Sequence, residues 1–190
     1  ISENLKQVSK IIDCPNPSQM MKAIKNPVEL ENNRKAHIKD GVAMTKFMYW
    51  LKTNVGKMEI SEISASDYLA ELRAQQEGFL DVSFDTIAAY KEHAAMMHYS
   101  ATKESDVLLK PEGMLLVDSG GQYLEGTTDI TRTFVLGAIS DEERLHFSAA
   151  LRGHIALSKA HFLYGCRGTN LDILARGPLW EMGIDYKCGT

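Results

Sequence analysis

Leu115-Leu116-Val117-Asp118-Ser119-Gly120-Gly121-Gln122-Tyr123 runs from an apolar strand into a glycine-rich turn, and Thr127-Thr128-Asp129-Ile130-Thr131-Arg132-Thr133 follows with the alternation of a second strand. An ionised carboxylate at the end of an apolar strand is costly unless it is paired, hydrogen-bonded or bound to a metal. Strand alternation puts Asp129, Thr131 and Thr133 on one face and Ile130, Arg132 and Phe134 on the other. With Gly120, Gly121 and Gly126 supplying the turns, pairing of the two strands would bring Asp118 and Asp129 to face each other across the ladder. Two hard oxygen ligands on stiff strands suit Mn²⁺, Co²⁺ or Mg²⁺. They do not fill the coordination shell of even one such ion. Spacing alone leaves an alternative open, in which Asp118 is a turn residue and Asp129 a paired sheet charge.

Strand signals also cover Val82 to Ala88, Met114 to Val117 and Thr128 to Leu136, each bounded by Gly, Pro or Asp. Helices flank them. Asn26-Pro27-Val28-Glu29 reads as an N-cap, a proline at the first helical position and an acidic third residue. Leu30, Ile38, Val42, Thr45, Met48 and Leu51 then recur at helical steps, predicting an amphipathic helix from about Pro27 to Thr53. A second helix is expected from Ser64 to about Gly78, a third from Ser140 toward His161, and a fourth from Thr169 to about Gly183, kinked or interrupted at Pro178. Upstream, the apolar run Val8 to Ile12 leads into Cys14-Pro15-Asn16-Pro17-Ser18, which reads as a turn or linker. Helices, then strands, then helices predict an α+β domain with helices packed on one face of a mainly antiparallel sheet.

Composition narrows the function classes. The chain has 190 residues, 44% of them hydrophobic and 24% charged, which is ordinary for a globular protein. Lys and Arg number 21 against 25 Asp and Glu, for a formal charge of −4, which argues against a general nucleic-acid-binding surface. No apolar run reaches the ~18 to 20 residues of a membrane span. Cys14, Cys166 and Cys188 form no CxxC pair, and their odd number points to a reducing, cytoplasmic compartment. A first residue of Ile hints at a piece of something longer.

Other catalytic patterns fail. A single D-S-G cannot supply the two copies that an aspartic protease needs, and no HExxH, HxxEH, GxSxG, P-loop, GxGxxG or EF-hand pattern occurs. Among the six histidines, His98 ends the apolar stretch Ala94-Ala95-Met96-Met97-His98-Tyr99, and His93 lies five residues before it. Each taken singly reads as a surface or hydrogen-bonded histidine.

Together these segments resemble the Xaa-Pro aminopeptidase (aminopeptidase P) family. The two aspartate-bearing strands are similar to its first two metal-ligand strands. Lys22-Ala23-Ile24-Lys25-Asn26, Arg34 to Asp40, Ser83 to Ile87, Met97-His98-Tyr99, Gly153-His154-Ile155-Ala156 and Gly183-Ile184-Asp185-Tyr186 match in order and spacing, over nearly the whole chain. The resemblance implies part of a pita-bread α+β fold: residues 1–17 as the remnant of a preceding domain and linker, and 18–190 as the N-terminal part of the catalytic domain. It implies that Asp118 binds one metal, Asp129 bridges two, and His98 helps bind substrate and steady the intermediate. The implied cofactors are two divalent ions, foremost Mn²⁺ with Co or Zn as alternatives. They would hold a bridging hydroxide that releases the first residue from peptides with proline second. A homodimer is the implied assembly of the parent protein. Three further ligands, a His and two Glu, would follow Thr190, so the 190 residues alone are expected to be inactive. Cys188 stands where many relatives carry a substrate-pocket His, and that role does not transfer to a thiol. A prolidase acting on dipeptides, or a pita-bread binding module without catalysis, are the alternative readings.

Overall fold

The computed structural model describes residues 14–186. The run from Val8 to Ile12 and Cys188 lie outside the described residues. Asn16 and Asn26 act alike, each capping a helix that begins with proline. Asn16 accepts from the Ser18 N–H at the start of α1 (Pro17–Ala23), so the stretch expected as a linker already begins a helix. Asn26 forms a reciprocal capping box with Glu29 at the start of α2 (Pro27–Asn54). Helix α3 (Glu62–Ala74) starts two residues before the expected position, because Ser61 is the cap and its partner is Ser64. Helix α4 (Asp141–Ser158) opens on the expected Ser140–Glu143 box. Helix α5 (Gly168–Trp180) passes through Pro178 without a break, so the expected interruption there is absent.

The α2 face differs from the expected one. Leu51 is in the core, but Leu30, Ile38, Val42 and Met48 are exposed, and the buried stripe is Ala36, Asp40, Ala43, Met44, Phe47 and Leu51. A buried aspartate on that stripe broke the apolar pattern. Its charge is compensated by Arg73 of α3, which donates from Nε to Oδ1 at 2.7 Å and from Nη2 to Oδ2 at 3.1 Å.

The strands are β1 (Phe79–Val82), β2 (Ile87–Tyr90), β3 (Met114–Ser119), β4 (Gly121–Tyr123), β5 (Gly126–Thr127) and β6 (Ile130–Val135). The single strand expected over Val82 to Ala88 is thus two, separated by a bend at 83–86. Among the described residues these strands pair antiparallel throughout, in two three-stranded sheets of order β1-β4-β5 and β2-β3-β6. The sheets share three chain runs, each interrupted once: at 83–86, at Gly120 and at 128–129. One seam therefore crosses the molecule, with Asp118 and Asp129 beside it.

Helices α2 and α3 cover one face of β2-β3-β6. Phe47, Leu51 and Leu69 pack with Ala88, Leu115, Val117 and Phe134, and Phe47 meets Phe134 edge-on at 5.9 Å. This is the expected α+β arrangement. Helices α4 and α5 pack against each other, close enough at Gly153 that a Cβ there would sit 2.1 Å from the Ala175 carbonyl oxygen. No helix among the described residues is long and apolar enough to cross a membrane.

Candidate metal and substrate site

Strand β3 is central in its sheet, and the register sets what surrounds Asp118. Leu115 and Val117 point to the helices, so Asp118 lies on the opposite face, level with Ile87 of β2 and Thr131 of β6. Thr131 Oγ1 donates to Asp118 Oδ1 at 2.8 Å. Asp118 is thus a strand residue, not a turn residue.

Asp129 does not face it directly. Asp129 is exposed and sits just before β6, two residues from Thr131, the actual cross-strand partner of Asp118. Spacing missed this because the turn through β4 and β5 shifts the pairing by two residues. Asp129 is held through its neighbour Thr128, which is 1% exposed. Thr128 Oγ1 accepts from the Gly121 N–H at 2.9 Å, and its carbonyl accepts from Ser83 Oγ at 2.8 Å. Ser83 also donates its N–H to the Gly120 carbonyl at 3.0 Å, so one serine stitches all three interrupted runs together. Among the described residues neither aspartate forms an ion pair, so the alternative of a paired sheet charge at Asp129 does not describe this structure.

His98 arrives from the other side. After β2 the chain makes a 3-10 turn (Lys91–Ala95) and reaches His98, exposed and with φ of 55°, in the left-handed region that is unusual for a non-glycine residue. His98 lines a pocket of about 160 Å³ together with Asp118, Thr131, Leu116, Met96 and Met97. The structure therefore joins His98 to Asp118 in one concavity, and Asp129 is not among the residues lining it.

Beneath the seam lies a second polar cluster, missed in the sequence. Tyr123 of β4 donates its hydroxyl to Asp40 Oδ1 at 3.0 Å, tying the second sheet to the Asp40–Arg73 pair. Burial pushes the Asp40 carboxyl up, but the Arg73 guanidinium, with Tyr123 and Thr128, more than reverses this and holds it below its usual value. Burial, and then the neighbouring Asp40 charge, raise the Tyr123 phenol well above its ordinary range. A third group was also unforeseen: Glu62 at the start of α3 is fully buried and accepts from His93 and Tyr99, on either side of His98 in sequence. A glutamate directly after a helix cap was the available signal, but its partners lie 31 and 37 residues away.

The donor chemistry fits a hard divalent ion. Two carboxylates without a cationic partner among the described residues, Asp118 on β3 and oriented by a hydroxyl, Asp129 just before β6, are the kind of oxygen ligand such an ion takes. They are a part of a shell: among the described residues no group of three His, Cys, Asp or Glu is placed to hold a metal.

The chain is similar to known proteins over nearly its whole length. The model of metallopeptidase family M24 matches residues 31–190. Aminopeptidase P1 of Arabidopsis thaliana is 40% identical over 95% of this chain and 31% of its own length. A probable Xaa-Pro aminopeptidase P of Paracoccidioides brasiliensis is 43% identical over 96% of the chain and 30% of its own length. The crystal structure of X-prolyl aminopeptidase from Caenorhabditis elegans, described as a cytosolic enzyme with a di-nuclear active site, superposes with a TM-score of 0.86 at 36% identity, covering 90% of this chain and 28% of that one. The chain thus spans about a third of the length of these relatives. X-Pro aminopeptidase of Thermotoga maritima superposes with a TM-score of 0.75 at 25% identity, over 87% of this chain and 44% of its own. The family model over residues 31–190 and the structural superpositions agree: the chain carries part of the pita-bread fold and belongs to metallopeptidase family M24.

Proposed function

We propose that the protein carrying this chain is a metal-dependent aminopeptidase that removes the first residue from peptides with proline in second position. The observation that carries this reading is the single pocket lined by both Asp118 and His98, with Asp118 free of any cationic partner among the described residues. The names of the relatives at 40% and 43% identity support the reaction and the substrate class.

Asp118 and Asp129 would hold two divalent ions, with Mn²⁺ the first choice, and ligands from beyond these 190 residues would complete the shell. Such ions supply Lewis-acid polarisation of the scissile carbonyl and an activated water. The chain's own residues have separate tasks. Thr131 fixes the orientation of the Asp118 carboxylate. The His98 imidazole, which lines the pocket, would donate a hydrogen bond to the carbonyl oxygen as it gains negative charge. The apolar wall at Leu116, Met96 and Met97 gives the peptide a dry surface to rest on.

Within this reading, residues 18–190 form the N-terminal part of the catalytic domain, and 1–17 belong to the connection from a preceding one. By itself the chain is inactive and binds Mn²⁺ weakly, because it offers two of the required carboxylates. A cytosolic location follows the Caenorhabditis elegans relative, and a homodimer is the proposed assembly. The deciding experiment incubates the whole protein with Mn²⁺ and an Xaa-Pro-Xaa tripeptide and follows the freed residue by mass spectrometry. Release supports the aminopeptidase. Cleavage of Xaa-Pro dipeptides alone would replace it with a prolidase, and no release with any divalent ion would leave a binding module.

A further inference from the structure

We infer that Glu62 is a positioning residue for His98, acting through the segment that carries it. This deepens the proposed function and rests on the role that reading gives His98. Glu62 is 0% exposed, and both its carboxylate oxygens are used by that segment. Oε1 accepts from the Tyr90 N–H at 2.7 Å and from His93 Nδ1 at 2.9 Å. Oε2 accepts from the Tyr99 hydroxyl at 2.8 Å. A carboxylate only accepts, so Nδ1 of His93 carries the proton. The His93 and Tyr99 rings then lie against each other with centroids 4.6 Å apart. One side chain of α3 thereby grips the segment at its start, its middle and its end.

What lies between the grips is strained. Lys91 and His98 both have positive φ, 49° and 55°, which costs a non-glycine residue about 1 kcal/mol or more unless its surroundings impose it. Nothing in the His98 side chain supplies that constraint, because it is exposed at the pocket. The constraint comes from the residues on either side, and Glu62 is their shared anchor. A carboxylate with no water access is costly to bury, and here three donors compensate it. Its position at the first turn of α3 adds the favourable end of the helix dipole. The arrangement gives the helical layer control over where the imidazole stands relative to Asp118.

The test uses the whole protein and four variants: H98A, E62Q, the double variant E62Q/H98A, and Y99F. Glutamine keeps the volume of Glu62 but turns one acceptor into a donor that faces donors. E62Q is expected to lower kcat on the order of 10²-fold, as displacement of a reacting group by about an ångström does, with KM little changed. In the H98A background E62Q should cost nothing more, because it acts through the residue already removed. A purely structural role would instead lower both backgrounds by the same factor, and that result overturns the inference. Wild-type kcat in E62Q also overturns it. Wild-type kcat in H98A removes the role given to His98 in the proposed function, which separates the two failures. A readout without metal comes from the imidazole NMR resonances, with His98 assigned by its loss in H98A. The His98 resonance should move in E62Q while that of His154, on α4, stays. An unmoved His98 resonance overturns the inference. If E62Q does not fold, Y99F carries the test, since it removes one of the donors and keeps the ring.

Discussion

Asp118 of β3 and Thr131 of β6 are direct cross-strand partners, joined by a 2.8 Å hydrogen bond in which the threonine hydroxyl donates and the carboxylate accepts. The bond leaves Oδ2 and the second lone pair of Oδ1 available to a ligand, and it fixes the carboxylate's rotation. A metal ligand held this way meets the ion without having to be ordered first.

Replacing Thr131 by valine keeps the shape and removes the donor. Because Thr131 is exposed, folding stability should stay within about 0.5 kcal/mol. Metal affinity of the whole protein should fall by roughly 10- to 100-fold, the usual worth of an outer partner. Calorimetric titration with Mn²⁺ beside thermal melts of the metal-free protein would check both. Equal affinities in T131V and wild type would refute the ligand role of Asp118 as described. D118N should lose more affinity than T131V.

Breaking the ion pair under the seam is a different experiment. Asp40 and Arg73 are 2% and 0% exposed, so D40N strands a buried guanidinium with no compensating charge. A loss of about 3–5 kcal/mol in unfolding free energy is expected, as for other buried pairs that lose one member. Urea titration followed by circular dichroism would measure it. A loss below ~1 kcal/mol would mean that Tyr123 and Thr128 alone satisfy the site.

The same carboxyl sets an acid limb. Its folded value lies below the usual 3.8, so the folded state binds this proton less readily than the unfolded chain. Its contribution is therefore fully present above that usual, unfolded value and is lost as pH falls through the lower, folded one. Stability of the metal-free chain should be flat in this term from about pH 5 upward and should decline below about pH 4. D40N should decline less steeply over the acid range, and an unchanged slope would assign the acid limb to other carboxylates.

Glycine substitutions test the seam. A Cβ on Gly120 would lie 2.0 Å from the Thr128 carbonyl oxygen and 2.3 Å from Ser83 Oγ, so backbone must move. G120A should cost at least about 1–3 kcal/mol and weaken Mn²⁺ binding with it. At Gly126 the nearest atom would be 3.6 Å away, and G126A should be close to neutral. Similar melting temperatures for the two variants would show that the seam yields easily.

Much of this was legible locally. The boxes Asn26–Glu29 and Ser140–Glu143 lie within four residues, and both mark helix starts correctly. Asp118 stands out as a carboxylate near the end of an apolar strand, Asp129 as one just before the next, and His98 as the end of an apolar stretch. What was hidden is non-local. The buried α2 stripe does not show in the apolar pattern because Asp40 is polar, and only Arg73, 33 residues on, makes it an interior residue. The expected start of α3 at Ser64 falls inside the helix, because Ser61 caps it and Ser64 answers from the third position. The register that sets Asp118 against Thr131 depends on how many residues the β4–β5 excursion absorbs. The role of Glu62 depends on three donors that meet only in the folded chain.

The seam at Ser83, Gly120 and Thr128 joins main-chain atoms to main-chain atoms, or to a short hydroxyl, with no room for a methyl group. The separation between the Asp118 and Asp129 backbones is consequently a property of peptide geometry, and repacking of the apolar core should leave it unchanged. Under the proposed metal role, a site built this way would tolerate drift in the surrounding hydrophobic residues while keeping the spacing of its two aspartates, but it could not be widened gradually. Fitting it to an ion of another size would require rebuilding the crossing itself.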